Sequence, residues 1–112
     1  QSHVKVLMKQ DDFYDSLQKY FSEKQIMIKE LIQIKKGEYD LVIEMHTPVG
    51  KAIYFCKAKD KKKCNDGDLS SAYIQAQNKR LPCIFMTSGE VIKKAKEKLN
   101  SDFKGMLILE NV

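Results

Sequence analysis

The segment "LPCIFMTS", residues 81–88, constrains the fold of this chain more than any other stretch. Its apolar run lacks the alternation of a half-exposed strand and is typical of a strand buried on both faces. Helical periodicity precedes it at 66–80 and follows it at 88–99. Because both faces of such a strand need to be covered, and helices flank it in the sequence, we predict an α/β sandwich.

The other segments complete a predicted element order of α-β-β-β-α-β-α-β. Phe13, Leu17 and Phe21 recur at helical spacing and predict a first helix over 11–25. The predicted strands cover 26–36, 39–47, 51–59, 81–88 and 105–110. Pro48-Val49-Gly50 marks the turn between the second strand and the third. We expect the first three strands to form an antiparallel meander, so the central sheet is mixed and flanked by helices.

Length and composition predict one soluble domain. The chain has 112 residues, of which 43% are hydrophobic and 31% charged, which is typical of a globular protein and not of a disordered one. No apolar run is long enough to span a membrane, and no signal-peptide pattern opens the chain. We interpret residues 1–10 as an N-terminal extension or tag remnant. Residues 11–112 are then a single domain, which we expect to have been cut from a larger protein.

The three cysteines, Cys56, Cys64 and Cys83, argue against a disulfide framework and against a zinc site. Their number is odd, and no close CxxC-like pair is present. Cys56 and Cys83 lie within apolar runs, so we expect them in the core. Reduced thiols of this kind predict a cytoplasmic protein.

The positive charge is unevenly distributed. The net charge is +5, and residues 51–63 contain six lysines against the single acid Asp60. Residues 93–98 contain four more lysines against Glu97. A basic stripe of this kind favours a polyanion, with nucleic acid first, although edge strands also carry lysines for solubility. The candidate nucleic-acid contacts are Lys57, Lys59, Lys61, Lys62 and Lys63.

An acid and a lysine on adjacent predicted strands form a candidate site. Strand alternation places Asp40 and Glu44 on one face of the second strand, and Lys57 on one face of the third. Metal-dependent nucleases hold Mg²⁺ between strand carboxylates and place a lysine beside the attacking water or the scissile phosphate. Asp40 and Lys57 are therefore expected to meet at one site.

This pattern resembles the restriction-endonuclease-like superfamily, the PD-(D/E)xK nucleases, and within it the Mrr-like branch. The resemblance covers about residues 11–110. It rests on "EYDLVI" for the metal-binding acid, on "YFCK" at the position of the (E/Q)-x-K triplet, and on "LPCIFMTSGEVIKKAKEKL" for a late strand and helix. The resemblance implies a three-layer sandwich, DNA as the partner, and Mg²⁺ as the cofactor if the domain cleaves.

The triplet of this chain is degenerate, because Phe55 stands where the family has Glu or Gln. Phenylalanine cannot ligate a hard cation, which needs oxygen ligands. Glu44 could supply the second carboxylate from the neighbouring strand, or a helix residue such as Glu23 or Gln75 could reach into the site. The catalytic candidates are therefore Asp40, Lys57 and Glu44, with Asp40 and Glu44 as the metal ligands.

Phe55 itself is predicted to lie on the face shared with Lys57, at the edge of a concave surface that holds Asp40. If so, the substitution Phe55→Glu would restore a carboxylate pair and Mg²⁺ binding.

Three functions remain open at this point. The first is a DNA-binding domain of nuclease-like fold with impaired or lost cleavage. The second is an active Mg²⁺-dependent endonuclease, and the third is a protein–protein interaction module on the same scaffold. Besides DNA, the expected partners are other domains of a larger chain or a second copy in a homo-oligomer, with no membrane partner.

Overall fold

The structure is a computed structural model that describes residues 12–35, 37–103 and 105–112. The predicted N-terminal extension, residues 1–10, lies outside the described residues. Among the described helices, none has both the length and the apolar character needed to cross a lipid bilayer.

The described residues form three helices and seven strands. The helices are α1 (Asp12–Glu23), α2 (Asp66–Asn78) and α3 (Lys93–Ser101). The strands are β1 (Met27–Lys35), β2 (Glu38–Thr47), β3 (Gly50–Lys59), β4 (Lys63–Cys64), β5 (Cys83–Thr87), β6 (Glu90–Val91) and β7 (Leu107–Asn111).

The main sheet is mixed, as predicted, and has the strand order β1-β2-β3-β5-β7. β2 pairs antiparallel with β1 and with β3, so the predicted meander is present. β5 lies parallel to β3 on one side and to β7 on the other, with α2 and α3 in the connections. The short strands β4 and β6 form a separate parallel pair that was not predicted, because two-residue strands leave no periodic pattern in a sequence.

Two hydrophobic clusters cover the two faces of the main sheet. The cluster on the α1 side consists of Phe13, Tyr14, Leu17, Phe21, Tyr39, Leu41, Ile43, Cys56, Ala58, Ile84 and Met86. The cluster on the α2 and α3 side consists of Phe55, Cys64, Leu69, Ala72, Ala76, Cys83, Phe85, Val91, Ala95, Phe103 and Leu107. Residues of β5 alternate between the two clusters, which confirms that this strand is buried on both faces. The result is a three-layer sandwich with helices on both sides of the sheet.

The helix predicted over 88–99 begins later, at Lys93. The preceding residues pair with β4, since Glu90 lies opposite Lys63 in the ladder. Gly89 permits this approach, because a Cβ at that position would lie 1.8 Å from the backbone oxygen of Lys61. The close contact between these two backbone segments therefore decides where α3 starts.

The three cysteines are buried and free, so the prediction of reduced core thiols for Cys56 and Cys83 is confirmed. Burial raises the pKa of Cys56 above its ordinary value and raises the pKa of Cys83 to about 12. Thiols of this kind stay protonated at neutral pH and are poor metal ligands.

Candidate functional site

The antiparallel pairing of β2 and β3 brings Asp40 and Lys57 together. Their two-residue turn fixes the register, in which Asp40 lies directly opposite Lys57. The Nζ of Lys57 donates a hydrogen bond to Oδ1 of Asp40 at 3.0 Å. Only 4% of the Lys57 side chain and 5% of the Asp40 side chain are exposed. The predicted meeting of acid and lysine is therefore present, as a buried ion pair.

Two further side chains converge on the same ammonium group. Gln75 from α2 accepts a hydrogen bond from Lys57 Nζ through Oε1 at 2.6 Å, and Glu38 Oε2 lies 3.3 Å from that nitrogen. Gln75 also donates from Nε2 to Oδ2 of Asp40 at 3.1 Å. We refer to Glu38, Asp40, Lys57 and Gln75 as the Lys57 cluster. It joins β2, β3 and α2 through a closed set of polar contacts.

The charged groups of the Lys57 cluster stabilise one another in a buried position. A buried ammonium or carboxylate loses its hydration, and the loss is tolerable only if hydrogen bonds and an opposite charge replace it. Gln75 is well suited to this role, because its amide presents an acceptor to Lys57 and a donor to Asp40. Removing a single partner would leave a buried charge uncompensated.

Phe55 occupies the next position along the same face of β3. It lies opposite Val42 and belongs to the cluster on the α2 side, which confirms that it shares a face with Lys57. The prediction that it lies at the edge of a concave surface is wrong, since only 1% of Phe55 is exposed. The ring packs into the hydrophobic cluster under α2.

Glu44 is not brought to Asp40. Four residues separate them along β2, which corresponds to about 13 Å at the rise of an extended strand. Glu44 instead pairs with Lys29 Nζ at 3.4 Å and with Lys51 Nζ at 3.5 Å. Burial alone would raise the pKa of Glu44, but the two lysines outweigh this effect and hold it below its ordinary value. The charge of Glu44 is thus engaged elsewhere on the sheet.

Of the two helix residues considered for the site, only Gln75 reaches it. Glu23 is exposed at the end of α1, on the opposite side of the sheet. Glu38 was not predicted as a site residue. It lies two residues before Asp40, and residues at this spacing share one face of a strand, so the sequence alone could have indicated it.

The Lys57 cluster does not fit a divalent metal ion as arranged. Mg²⁺ requires an octahedral shell of oxygens at about 2.1 Å, and protein sites normally supply it from carboxylates. The oxygens of Asp40, Gln75 and Glu38 are directed at the Lys57 ammonium, which already supplies a cation at their centre. Within residues 12–35, 37–103 and 105–112, no three His, Cys, Asp or Glu side chains converge in a metal-binding group.

Lys59 and Lys61 are paired with Asp68 at the start of α2. The distances to Asp68 are 3.0 Å from Lys59 Nζ to Oδ1 and 2.9 Å from Lys61 Nζ to Oδ2. Asp68 also forms the capping box of α2 with Asn65. Burial would raise the pKa of Asp68, but Lys61, the Asn65 backbone amide and Lys59 lower it below the ordinary range. The pairing of Asp68 with two lysines was not predicted from the sequence.

The remaining lysines near the end of β3 are exposed. They are Lys62 and Lys63, which lie beside and within β4. α3 adds three exposed lysines, Lys93, Lys94 and Lys96. Across the part of the chain that the structure describes, none of these five forms an ion pair. The lysines of the two lysine-rich segments therefore divide into those paired with an acid, of which Lys51 and Lys61 are still exposed, and those without an ion pair among the described residues.

Comparison with known proteins supports the fold. No protein-family model matches the sequence, and no curated protein is detectably similar to it. Among solved structures, the MspJI restriction endonuclease in complex with a 27-mer oligonucleotide is similar, with a TM-score of 0.54 and 12% sequence identity. The similarity covers 95% of this chain and 28% of that chain. It shows that the fold of this chain resembles that of part of this restriction endonuclease.

Proposed function

We propose that this chain is a DNA-binding domain of nuclease-like fold in which metal-dependent cleavage is impaired or lost. The observation that carries the proposal is the Lys57 cluster, in which oxygens of Asp40, Gln75 and Glu38 lie 2.6–3.3 Å from one ammonium group and are not arranged around a metal ion. Phe55 adds to it, because a packed aromatic ring replaces the second metal ligand. A degenerate member of the Mrr-like branch would have this combination.

The DNA partner is supported by charge and by the fold. The chain carries a net charge of +5, with a lysine-rich segment at 57–63 beside the candidate site. The structural neighbour was solved with an oligonucleotide bound. A duplex recognised mainly through its phosphates would be bound with strong salt dependence and weak sequence preference.

An active endonuclease is the second candidate, and one observation favours it. Glu38 and Asp40 both contact the Lys57 amine, so two carboxylates lie on one side of a lysine that resembles the nuclease lysine. Cleavage that depends on Asp40 would support this candidate and contradict the loss of activity. If the domain neither binds nor cleaves DNA, the interaction-module hypothesis is left.

Binding is tested by fluorescence anisotropy with a labelled duplex of about 25 base pairs over about 50–200 mM NaCl. The expected result is an affinity that falls steeply as the salt concentration rises, because binding to phosphates releases counterions. Absence of binding at low salt, or equal affinity across the series, would overturn the proposal. A scrambled duplex of the same composition is the control for sequence preference.

A further inference from the structure

The ion pairs of the structure separate lysines that are free to bind a partner from lysines that are not. Lys57 is buried among three oxygens, and Lys59 and Lys61 share the carboxylate of Asp68. A phosphate group would have to displace these internal contacts before it gained a lysine. Such an exchange contributes little to the free energy of binding, since one ionic contact replaces another.

The exposed lysines at 62–63 and 93–94 lie next to each other in the fold. β4 pairs with β6, placing Lys63 opposite Glu90. The amide of Ile92 then donates to the carbonyl of Cys64 at 3.0 Å, and α3 begins at the next residue. The first turn of α3 is thereby held against the end of β4. We call Lys62, Lys63, Lys93 and Lys94 the basic strip.

The basic strip is poorly explained by the stability of the local structure. Lysines in the first turn of a helix oppose the helix dipole, and acids are favoured there. The first turn of α3 contains no acid, and its N-cap makes no side-chain hydrogen bond. α2 has the opposite arrangement, with Asp66 and Asp68 in its first turn and a complete capping box. The lysines at the start of α3 therefore do not stabilise the first turn of this helix.

We propose that the basic strip, and not Lys57, Lys59 or Lys61, is the surface that contacts the phosphate backbone of duplex DNA. This inference rests on the proposed function and assigns the interface within it. Four exposed ammonium groups on two adjacent elements offer point charges to successive phosphates. The Lys57 cluster and the Asp68 pairs instead hold α2 on the sheet.

The aromatic residues support a duplex as the ligand over a single strand. Every tyrosine and phenylalanine among the described residues is buried or partly buried. Single-strand binders stack bases on exposed aromatic rings, and no such platform is present in the described part of the chain. Binding therefore depends on charge, and a duplex has the higher density of phosphates along its length.

The test is a salt series of anisotropy titrations on neutralised double variants. Lys62→Gln/Lys63→Gln and Lys93→Gln/Lys94→Gln are expected to weaken duplex binding several-fold. Each lysine lost should also reduce the slope of log K against log salt concentration by about 0.9. The matched control is Lys19→Gln/Lys24→Gln, which removes the same charge from exposed lysines on the α1 side. The control should retain the wild-type slope.

Three outcomes would overturn the inference while leaving DNA binding intact. One is an equal loss of slope in the control, which would indicate a diffuse effect of net charge. Another is a wild-type slope in both strip variants, whether or not Lys59→Gln/Lys61→Gln reduces the slope. Tighter binding to a single strand than to the duplex would also contradict it. If the wild-type domain binds no DNA at any salt concentration, the proposed function fails together with this inference. Failure of the interface assignment alone is recognised because the wild-type domain still binds DNA.

Discussion

At the scale of single residues, Lys57 and Phe55 contribute to the same face of β3 in different ways. Lys57 is oriented by Asp40 and Gln75 from two different elements and is removed from solvent. Phe55, two residues earlier, contributes apolar packing and no ligand. The same face of β3 therefore stabilises the fold through a charge at one position and a ring at the other.

Lys57→Met is expected to destabilise the protein by about 3–5 kcal/mol, because it leaves the buried Asp40 carboxylate without its cation. Urea unfolding monitored by circular dichroism would measure the change. Combining it with Asp40→Leu should recover much of the loss, because both charges are then absent. The control is Lys51→Met, which removes the charge of a side chain that is 63% exposed and should cost less than about 1 kcal/mol. Equal losses for Lys57→Met and Lys51→Met would contradict the structural role of the Lys57 cluster.

Phe55→Glu is expected to destabilise the protein and not simply to restore a metal site, because the new carboxylate would enter a packed apolar cluster. The loss should exceed that of Phe55→Leu, which keeps the position apolar and sacrifices only packing. Thermal unfolding with and without Mg²⁺ measures both effects. A Phe55→Glu variant as stable as wild type, with a melting temperature that rises on addition of Mg²⁺, would show that position 55 opens toward Asp40.

At the scale of elements, α2 is attached to the sheet by polar contacts at two points along its length. Asp68 in its first turn binds Lys59 and Lys61, and Gln75 further along binds the Lys57–Asp40 pair. Both points lie on the same side of the sheet as Phe55. Lys59 at the end of β3 and Lys61 just after it therefore help to hold the helix that follows.

The Asp68 contacts predict a specific loss of stability in acid. Because its folded-state pKa lies below its unfolded value, ionised Asp68 stabilises the fold above that unfolded value, near 3.9. The stabilisation disappears as pH falls through the folded-state pKa. The difference in unfolding free energy between wild type and Asp68→Asn should therefore be largest near pH 6 and shrink below about pH 4. Urea unfolding at several pH values measures it.

Asp66→Asn is the matched control, since Asp66 lies in the same turn of α2 and forms no ion pair within the described residues. It should cost no more than the few tenths to 1 kcal/mol of a helix-dipole contact. A difference for Asp68→Asn that persists unchanged into strong acid would show that the ionised carboxylate is not what holds the lysines.

At the scale of the whole molecule, the layers could be predicted from the sequence because they depend on local periodicity. The apolar run of β5 required cover on both faces, and the alternation in β2 and β3 placed Asp40 against Lys57. The details of the site could not be predicted in the same way. They depend on how α2 packs, which directs Gln75 at Lys57 and draws Asp68 to its lysines. The pairing of β4 with β6 could not be predicted either, because it joins two-residue segments that are distant in sequence.

The proposed function requires that this chain bind DNA without a metal site at Asp40 and Lys57. The decisive experiment incubates a labelled duplex with the wild-type chain and Mg²⁺, and resolves bound, free and cleaved DNA by native and denaturing electrophoresis. We expect a shifted duplex that is recovered intact, with the shift lost at high salt. Cleavage that requires Mg²⁺ and disappears in Asp40→Ala would contradict it.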